Sequence, residues 1–230
     1  MSLTHSDVGG YTSFQLNIDG VLLDVNRSEE LVLRWMELSA FADCMFRSHE
    51  GNQADKQLQV WDTATLTSAF AKWSKIHSLL APLRKKLMAE ARNFGFPLVR
   101  GMWFKFGDFG WGMREQFMWG EYLLVAPVMD EGATEKEVWL PRGEWVNFNT
   151  CKTFSVEEDE FVVTVAAEVG SPPVFIDKGN KEALKVMKKV WKKTGIAKNH
   201  ADCNEYFPGI LSKIKRIFRQ RGGRKKVKTK

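Results

Sequence analysis

Arg47-Ser48-His49-Glu50-Gly51-Asn52 follows the predominantly apolar run Leu38 to Phe46, in which Asp43 is the only charged residue. Five of its six residues are polar or charged. A buried strand that stops in a knot of ionisable groups is the pattern of an α/β barrel at its C-terminal rim, where side chains leave the core and meet ligand. The stretch thus predicts a fold class and the place to look for function. Upstream, Ser6-Asp7-Val8-Gly9-Gly10-Tyr11 has the same form: a carboxylate, two glycines that permit a sharp turn, then an aromatic ring.

Outward from these stretches, residues 12–26 read as a loop or short hairpin, with Asp19-Gly20 as turn chemistry between Phe14-Gln15-Leu16 and Val21-Leu22-Leu23. Ser28 followed by Glu29 and Glu30 is a helix start, and Leu31, Arg34-Trp35, Leu38 and Phe41 recur at helical spacing to about Ser39. A short strand, Met45-Phe46-Arg47, is expected to deliver His49. Asp62 or Thr63 opens a second helix through Leu66, Phe70, Trp73, Ile76-His77 and Leu80. Pro82 interrupts it, and a continuation through Leu83, Leu87 and Ala91 stops at Asn93-Phe94-Gly95. Strand, helix, strand, long helix is the alternation of a parallel barrel or sheet.

After Pro97 the pattern changes. Leu98 to Arg100, Glu121 to Val128, Glu137 to Leu140, Trp145 to Phe148, Phe161 to Val165 and Pro173 to Ile176 are short strands separated by turn residues, the pattern of an antiparallel sandwich. A boundary falls near Gly95.

With 44% hydrophobic and 12% aromatic residues, the 230-residue chain can bury a full core. No run of about 18 apolar residues occurs, which excludes a transmembrane helix, and no charged segment followed by an apolar one opens the chain, so no signal peptide shows. Cys44, Cys151 and Cys203 have no metal-ligand spacing and are read as unpaired thiols. The net charge of +6 hides a division: residues 181–230 hold 17 Lys and Arg against 3 Asp and Glu, leaving 17 against 25 for residues 1–180. In the basic part, Leu184, Met187 and Val190-Trp191 form an apolar stripe among lysines, Ile210-Leu211, Ile214 and Ile217-Phe218 form a second, and Arg219 to Lys230 is mostly basic.

Each candidate functional residue has a plain structural alternative. Asp7 is an active-site carboxylate or an Asp that caps its own turn. His49 binds a substrate hydroxyl beside Arg47, or belongs to a surface salt-bridge cluster with Glu50. Tyr11 supplies a ring and a phenolic donor, or packs under the following loop. His77, on an apolar helix face, reads as a satisfied core histidine. Phosphate-loop, H-E-x-x-H and G-x-S-x-G motifs are absent, and no metal or cofactor is expected.

Together these segments resemble the last third of a family 31 glycoside hydrolase, the family of α-glucosidases, α-xylosidases and sulfoquinovosidases. The resemblance rests on Ser6 to Tyr11, Arg27 to Leu31, Arg34 to Phe41 and Arg47 to Asn52. It continues through Pro97 to Arg100, Trp119 to Val128, Trp139 to Trp145 and Gly170 to Phe175. Tyr11 after the double glycine, and Arg-Ser-His-Glu-Gly-Asn at the second site, resemble the sulfoquinovosidase branch. There the matching tyrosine helps hold the sugar's sulfonate and the matching histidine bonds ring hydroxyls. The resemblance implies an O-glycosyl hydrolase acting on α-glycosides or sulfoquinovosides, with Asp7, Tyr11, Arg47 and His49 as substrate-binding residues.

The family's retaining mechanism uses a nucleophilic Asp and a second Asp as acid, and both sit on earlier barrel strands absent from this sequence. The expected fold is α/β plus all-β: the last two strands and helices of a (β/α)₈ barrel over 1–95, an antiparallel β-sandwich over 96–179 and a basic amphipathic or disordered tail over 180–230. Since a full barrel takes about 250 residues, the chain alone is expected to be poorly stable and inactive. Thr12 to Asn26 is longer than the family usually has, and Asp43 is odd in a strand approach. An alternative from another class is a non-catalytic protein whose basic tail contacts anionic membrane, calmodulin or nucleic acid.

Overall fold

The computed structural model describes residues 4–53, 55–158, 161–196 and 201–206. Its first elements are a hairpin, β1 (Phe14–Ile18) and β2 (Val21–Val25), turning at Asp19 and Gly20, whose φ angles of 51° and 86° a two-residue hairpin turn requires. Helix α1 (Glu29–Ala42) starts where Ser28 Oγ accepts from the Leu31 N–H, and α2 (Ala64–Leu79) starts where Thr63 accepts from the Leu66 N–H. Pro82 near the start of α3 (Ala81–Phe94) breaks the continuous helix into two, and Gly95, in the left-handed conformation, ends it.

Strand β3 (Val99–Gly101), the single-turn helix α4 (Trp103–Phe106), β4 (Phe117–Trp119), β5 (Leu123–Val125), β6 (Glu135–Leu140), β7 (Gly143–Asn147), β8 (Thr153–Val156), β9 (Phe161–Ala166) and β10 (Val174–Asp177) follow. Six of the strands form an antiparallel sheet in the order β3-β4-β5-β10-β7-β8, and β6 pairs with β9 in a separate ribbon. Strand alternation divides the sheet's side chains between two cores. Trp119, Leu123, Val125, Val174 and Ile176 join the helices, whereas Met118, Leu124 and Phe175 join Trp139 and Leu140 of the ribbon.

Helices α1 and α2 are tied to the sheet-rich part by charged side chains. Arg34 donates to the carbonyls of Ala133 and Ala167, each at 2.7 Å, and Lys72 donates to Gly170 O at 2.8 Å. Glu37, 3% exposed, accepts from the Gly170 N–H, and Glu30 accepts from Gly132 N–H at 3.1 Å.

Helix α5 (Lys181–Thr194) begins at Asn180, whose side chain accepts from the Ala183 N–H, and ends at the left-handed Gly195. Ala183, Met187, Val190 and Trp191 are buried against the shared core, and Trp191 Nε1 donates to Phe148 O at 2.7 Å. The apolar stripe therefore faces the protein, while Lys185, Lys188, Lys189, Lys192 and Lys193 face outward. The second stripe, Ile210 to Phe218, and the basic cluster to Lys230 lie outside the described residues.

Three expectations need correction. Cys151 and Cys203 form a disulfide, leaving Cys44 as the free thiol; the docking of α5 carries Cys203 back across 52 residues of sequence to Cys151. No strand covers Met45–Arg47, where a single parallel bridge joins Val8 and Ser48. Asp43 belongs to no strand approach but caps α1, buried, where it accepts from Ser6 N–H at 3.0 Å, Ser6 Oγ at 2.6 Å and Ser39 Oγ.

Candidate functional site

Two chain segments, residues 5–13 and 47–52, run side by side. In the first, Asp7, Gly9 and Gly10 all take positive φ (48°, 92° and 83°), and the Gly10 N–H closes the turn onto Asp7 O at 2.6 Å. The turn leaves Val8 fully buried and Tyr11 54% exposed. Val8 N–H donates to Arg47 O at 3.3 Å and Asn52 N–H to Tyr11 O at 3.0 Å. The Asn52 side chain clips the segments again, accepting from Ser13 N–H at 2.9 Å and donating to Ser13 O at 3.1 Å.

This zipper brings Tyr11 and His49 together, edge to face, with ring centroids 4.8 Å apart. His49 Nδ1 accepts from the Gly51 N–H at 2.9 Å. An acceptor Nδ1 places the proton of the neutral ring on Nε2, which has no hydrogen-bond partner among the described residues. The pair thus presents an imidazole N–H donor beside a phenolic hydroxyl. Neither His49 nor Arg47 pairs with Glu50 among the described residues, and the Arg47 side chain is exposed. The Asp7 carboxylate lies 3.1 Å from His5 Nδ1. Its backbone carbonyl closes the turn, and its Oδ1, the atom facing His5, is buried. Asp7 and Arg47 share the two segments with the ring pair but make no hydrogen bond or ion pair with it among the described residues.

Beneath the rim lies a polar layer that was not singled out from the sequence. Arg27, 9% exposed, donates to Gly10 O and to Leu58 O, the latter at 3.3 Å, and so crosses from one segment to the chain after the other. Burial lowers its pKa from the ordinary value, opposed by the charge of Asp7. Gln57 donates to Asn52 Oδ1 at 3.3 Å, and Gln59 donates to Glu50 O at 2.9 Å. Arg27 carries a signal in its position one residue before the Ser28 cap; Gln57 and Gln59 carry none, being buried only because the loop folds under the rim.

His77 is half-buried, with Nε2 3.2 Å from Asp43 O. Burial and then the neighbouring Arg84 push it down to about 4, so it is neutral at physiological pH, as a satisfied core histidine would be. Among the described residues no group of three or more His, Cys, Asp or Glu side chains is placed to hold a metal ion, and no helix is long and apolar enough to cross a membrane.

Comparison with known proteins gives this arrangement a family. Residues 1–85 match the glycosyl hydrolases family 31 TIM-barrel domain and residues 95–180 the family 31 C-terminal domain. Sulfoquinovosidases of Agrobacterium fabrum and Escherichia coli are 36% and 35% identical over 174 and 175 residues, or 74% and 75% of this chain. The chain spans 24% of the length of each. Among solved structures, a family 31 sulfoquinovosidase from E. rectale, in complex with an aza-sugar inhibitor, superimposes on 84% of this chain with a TM-score of 0.74 at 31% identity, the match covering 27% of that chain. A TIM-barrel fragment followed by the family's C-terminal domain, with sulfoquinovosidases among its relatives, places this chain in glycosyl hydrolase family 31.

Proposed function

We propose that the chain supplies the substrate-reading rim of a retaining α-glycosidase of sulfoquinovosidase type, and that it does not turn over substrate alone. The observation that carries this reading is the Tyr11–His49 pair, with an imidazole Nε2–H directed by its bonded Nδ1 and a phenol beside it. In this reading His49 donates to a ring hydroxyl of the sugar, Tyr11 helps hold the sulfonate, and Arg47 and Asp7 shape the subsite from the flanking turns. A nucleophilic carboxylate and a carboxylic acid about 5–5.5 Å apart must then come from barrel strands outside this sequence.

The same reading divides the chain into the end of a barrel over 1–95, a β-sandwich over 96–179 and a basic segment over 180–230. Within α5, contact with an anionic surface would rest on the outward lysines, because the apolar stripe of that helix is buried.

A chimera tests the proposal. The Agrobacterium fabrum sulfoquinovosidase, with its matching C-terminal quarter replaced by this chain, is expected to hydrolyse sulfoquinovosides in preference to α-glucosides, while the purified chain hydrolyses neither. A soluble chimera that prefers α-glucosides would remove the sulfonate assignment, and turnover by the chain alone would remove the requirement for outside carboxylates.

A further inference from the structure

Between the six-stranded sheet and the β6–β9 ribbon runs a groove of about 390 Å³, walled by residues of β7, β8 and β9 and by the loop before β10. This volume lies within the range of small-molecule sites. Phe154, Val163 and Val165 give it apolar surface, and Lys152 and Glu168 contribute one charge of each sign.

Its polar groups are fixed in place yet only half used. Asn147 is 5% exposed, and its Oδ1 accepts from the N–H groups of Asn149 and Thr150 at 2.9 and 3.0 Å, which sets the orientation of the amide. Its Nδ2 has no hydrogen-bond partner among the described residues and keeps solvent access on the groove side, so it can donate to a ligand there. Asn149 is held in the opposite sense: its Nδ2 donates to Pro172 O at 2.8 Å, and its Oδ1 has no partner among the described residues. The Ser171 hydroxyl is likewise unpaired there, although its N–H is bound to Glu168 O at 2.9 Å.

A fixed donor, a fixed acceptor and a rotatable hydroxyl suit a ligand whose groups each donate and accept, and the apolar wall suits one with C–H faces. Balanced charge argues against an anion. We infer that this groove is a second, non-catalytic saccharide site, which takes neutral hexose units and is separate from the rim of Tyr11 and His49. Asn147 is its central donor.

Maltotriose is the probe, titrated against the full chain by calorimetry. Millimolar or tighter binding is expected. Asn147→Asp keeps the Oδ1 that holds the loop but removes the donor, and should weaken binding at least about tenfold, as loss of one buried hydrogen bond to a ligand does. Glu168→Ala, at an exposed side chain, should weaken it without affecting folding and serves if Asn147→Asp does not fold. His49→Ala should leave the binding intact, which separates this site from the proposed catalytic rim. Absence of binding in the wild-type chain, equal binding by the folded groove variants, or loss in His49→Ala would each overturn the inference.

Discussion

Glu37 sits 3% exposed among Arg34, Lys72 and the Gly170 N–H, with Glu30 two turns away on the other side of Arg34. Burial pushes its carboxyl up to about 7, against the lowering pull of the Gly170 hydrogen bond and the Arg34 charge. Between pH 4.5 and 7 the folded chain keeps a proton that the unfolded chain has released, so the stability from this group is complete below about 4.5 and lost as pH rises through 7. His77 acts in the opposite sense: lowered to about 4, it contributes stability above 6.5 that is lost as pH falls toward 4. The two effects oppose each other from 4.5 to 6.5, and above that only the Glu37 loss continues. In urea unfolding, Glu37→Gln should therefore remove the wild-type decline between pH 6.5 and 7.5, and His77→Gln should expose a decline from pH 4.5 to 6.5, where the two effects otherwise offset each other. At the rim, Tyr11→Phe and His49→Ala in the chimera should each lower kcat/KM on sulfoquinovosides by about 10- to 100-fold, the usual cost of one hydrogen bond to a charged or polar ligand group. The turn at Gly9-Gly10 was legible because paired glycines mark sharp turns. Asp43 was misread because its two serine donors, Ser6 and Ser39, are gathered only by folding.

At the scale of elements, α5 is a structural part of the molecule. Trp191 is 1% exposed, bonded to Phe148 O and packed against the rings of Phe148 and Tyr206. Trp191→Ala should cost about 3–5 kcal/mol, the range for deleting a buried large aromatic side chain, measured by chemical denaturation. Deleting residues 181–230 should destabilise the sheet-rich part as well, since Met187 and Val190 cover the same core. The helices were readable from their caps at Ser28, Thr63 and Gly95, each a local signal. Strands β4 and β8 had no counterpart in the strands read from the sequence. The expected strand at Met45–Arg47 failed because a strand is made by its neighbours, and here the neighbouring segment gives only scattered bonds, from Met45 N–H to Thr4 O and from Val8 N–H to Arg47 O, and one bridge, Val8 to Ser48.

Across the whole molecule, helices and sheet share one continuous core from Val32 and Leu66 through Leu123 and Val174 to Trp191. Periodicity assigned these residues to elements but could not say that the elements would share a core. The cysteines show the same limit, since 52 residues separate partners that no local spacing could join. By the loop-closure relation a cross-link of this length contributes about 4 kcal/mol, so reduction, or Cys203→Ser, should lower stability by up to that amount with β7 and β10 still paired. The bond also has a practical consequence for anyone making the protein. Thiols stay reduced in a bacterial cytosol, so material produced there would emerge with α5 held by packing and hydrogen bonds without the cross-link, whereas a secretory or periplasmic route would deliver it locked. Two preparations of one sequence would then differ in protease resistance at their carboxyl ends, and the redox history of a sample would have to be stated before its stability could be compared with that of another.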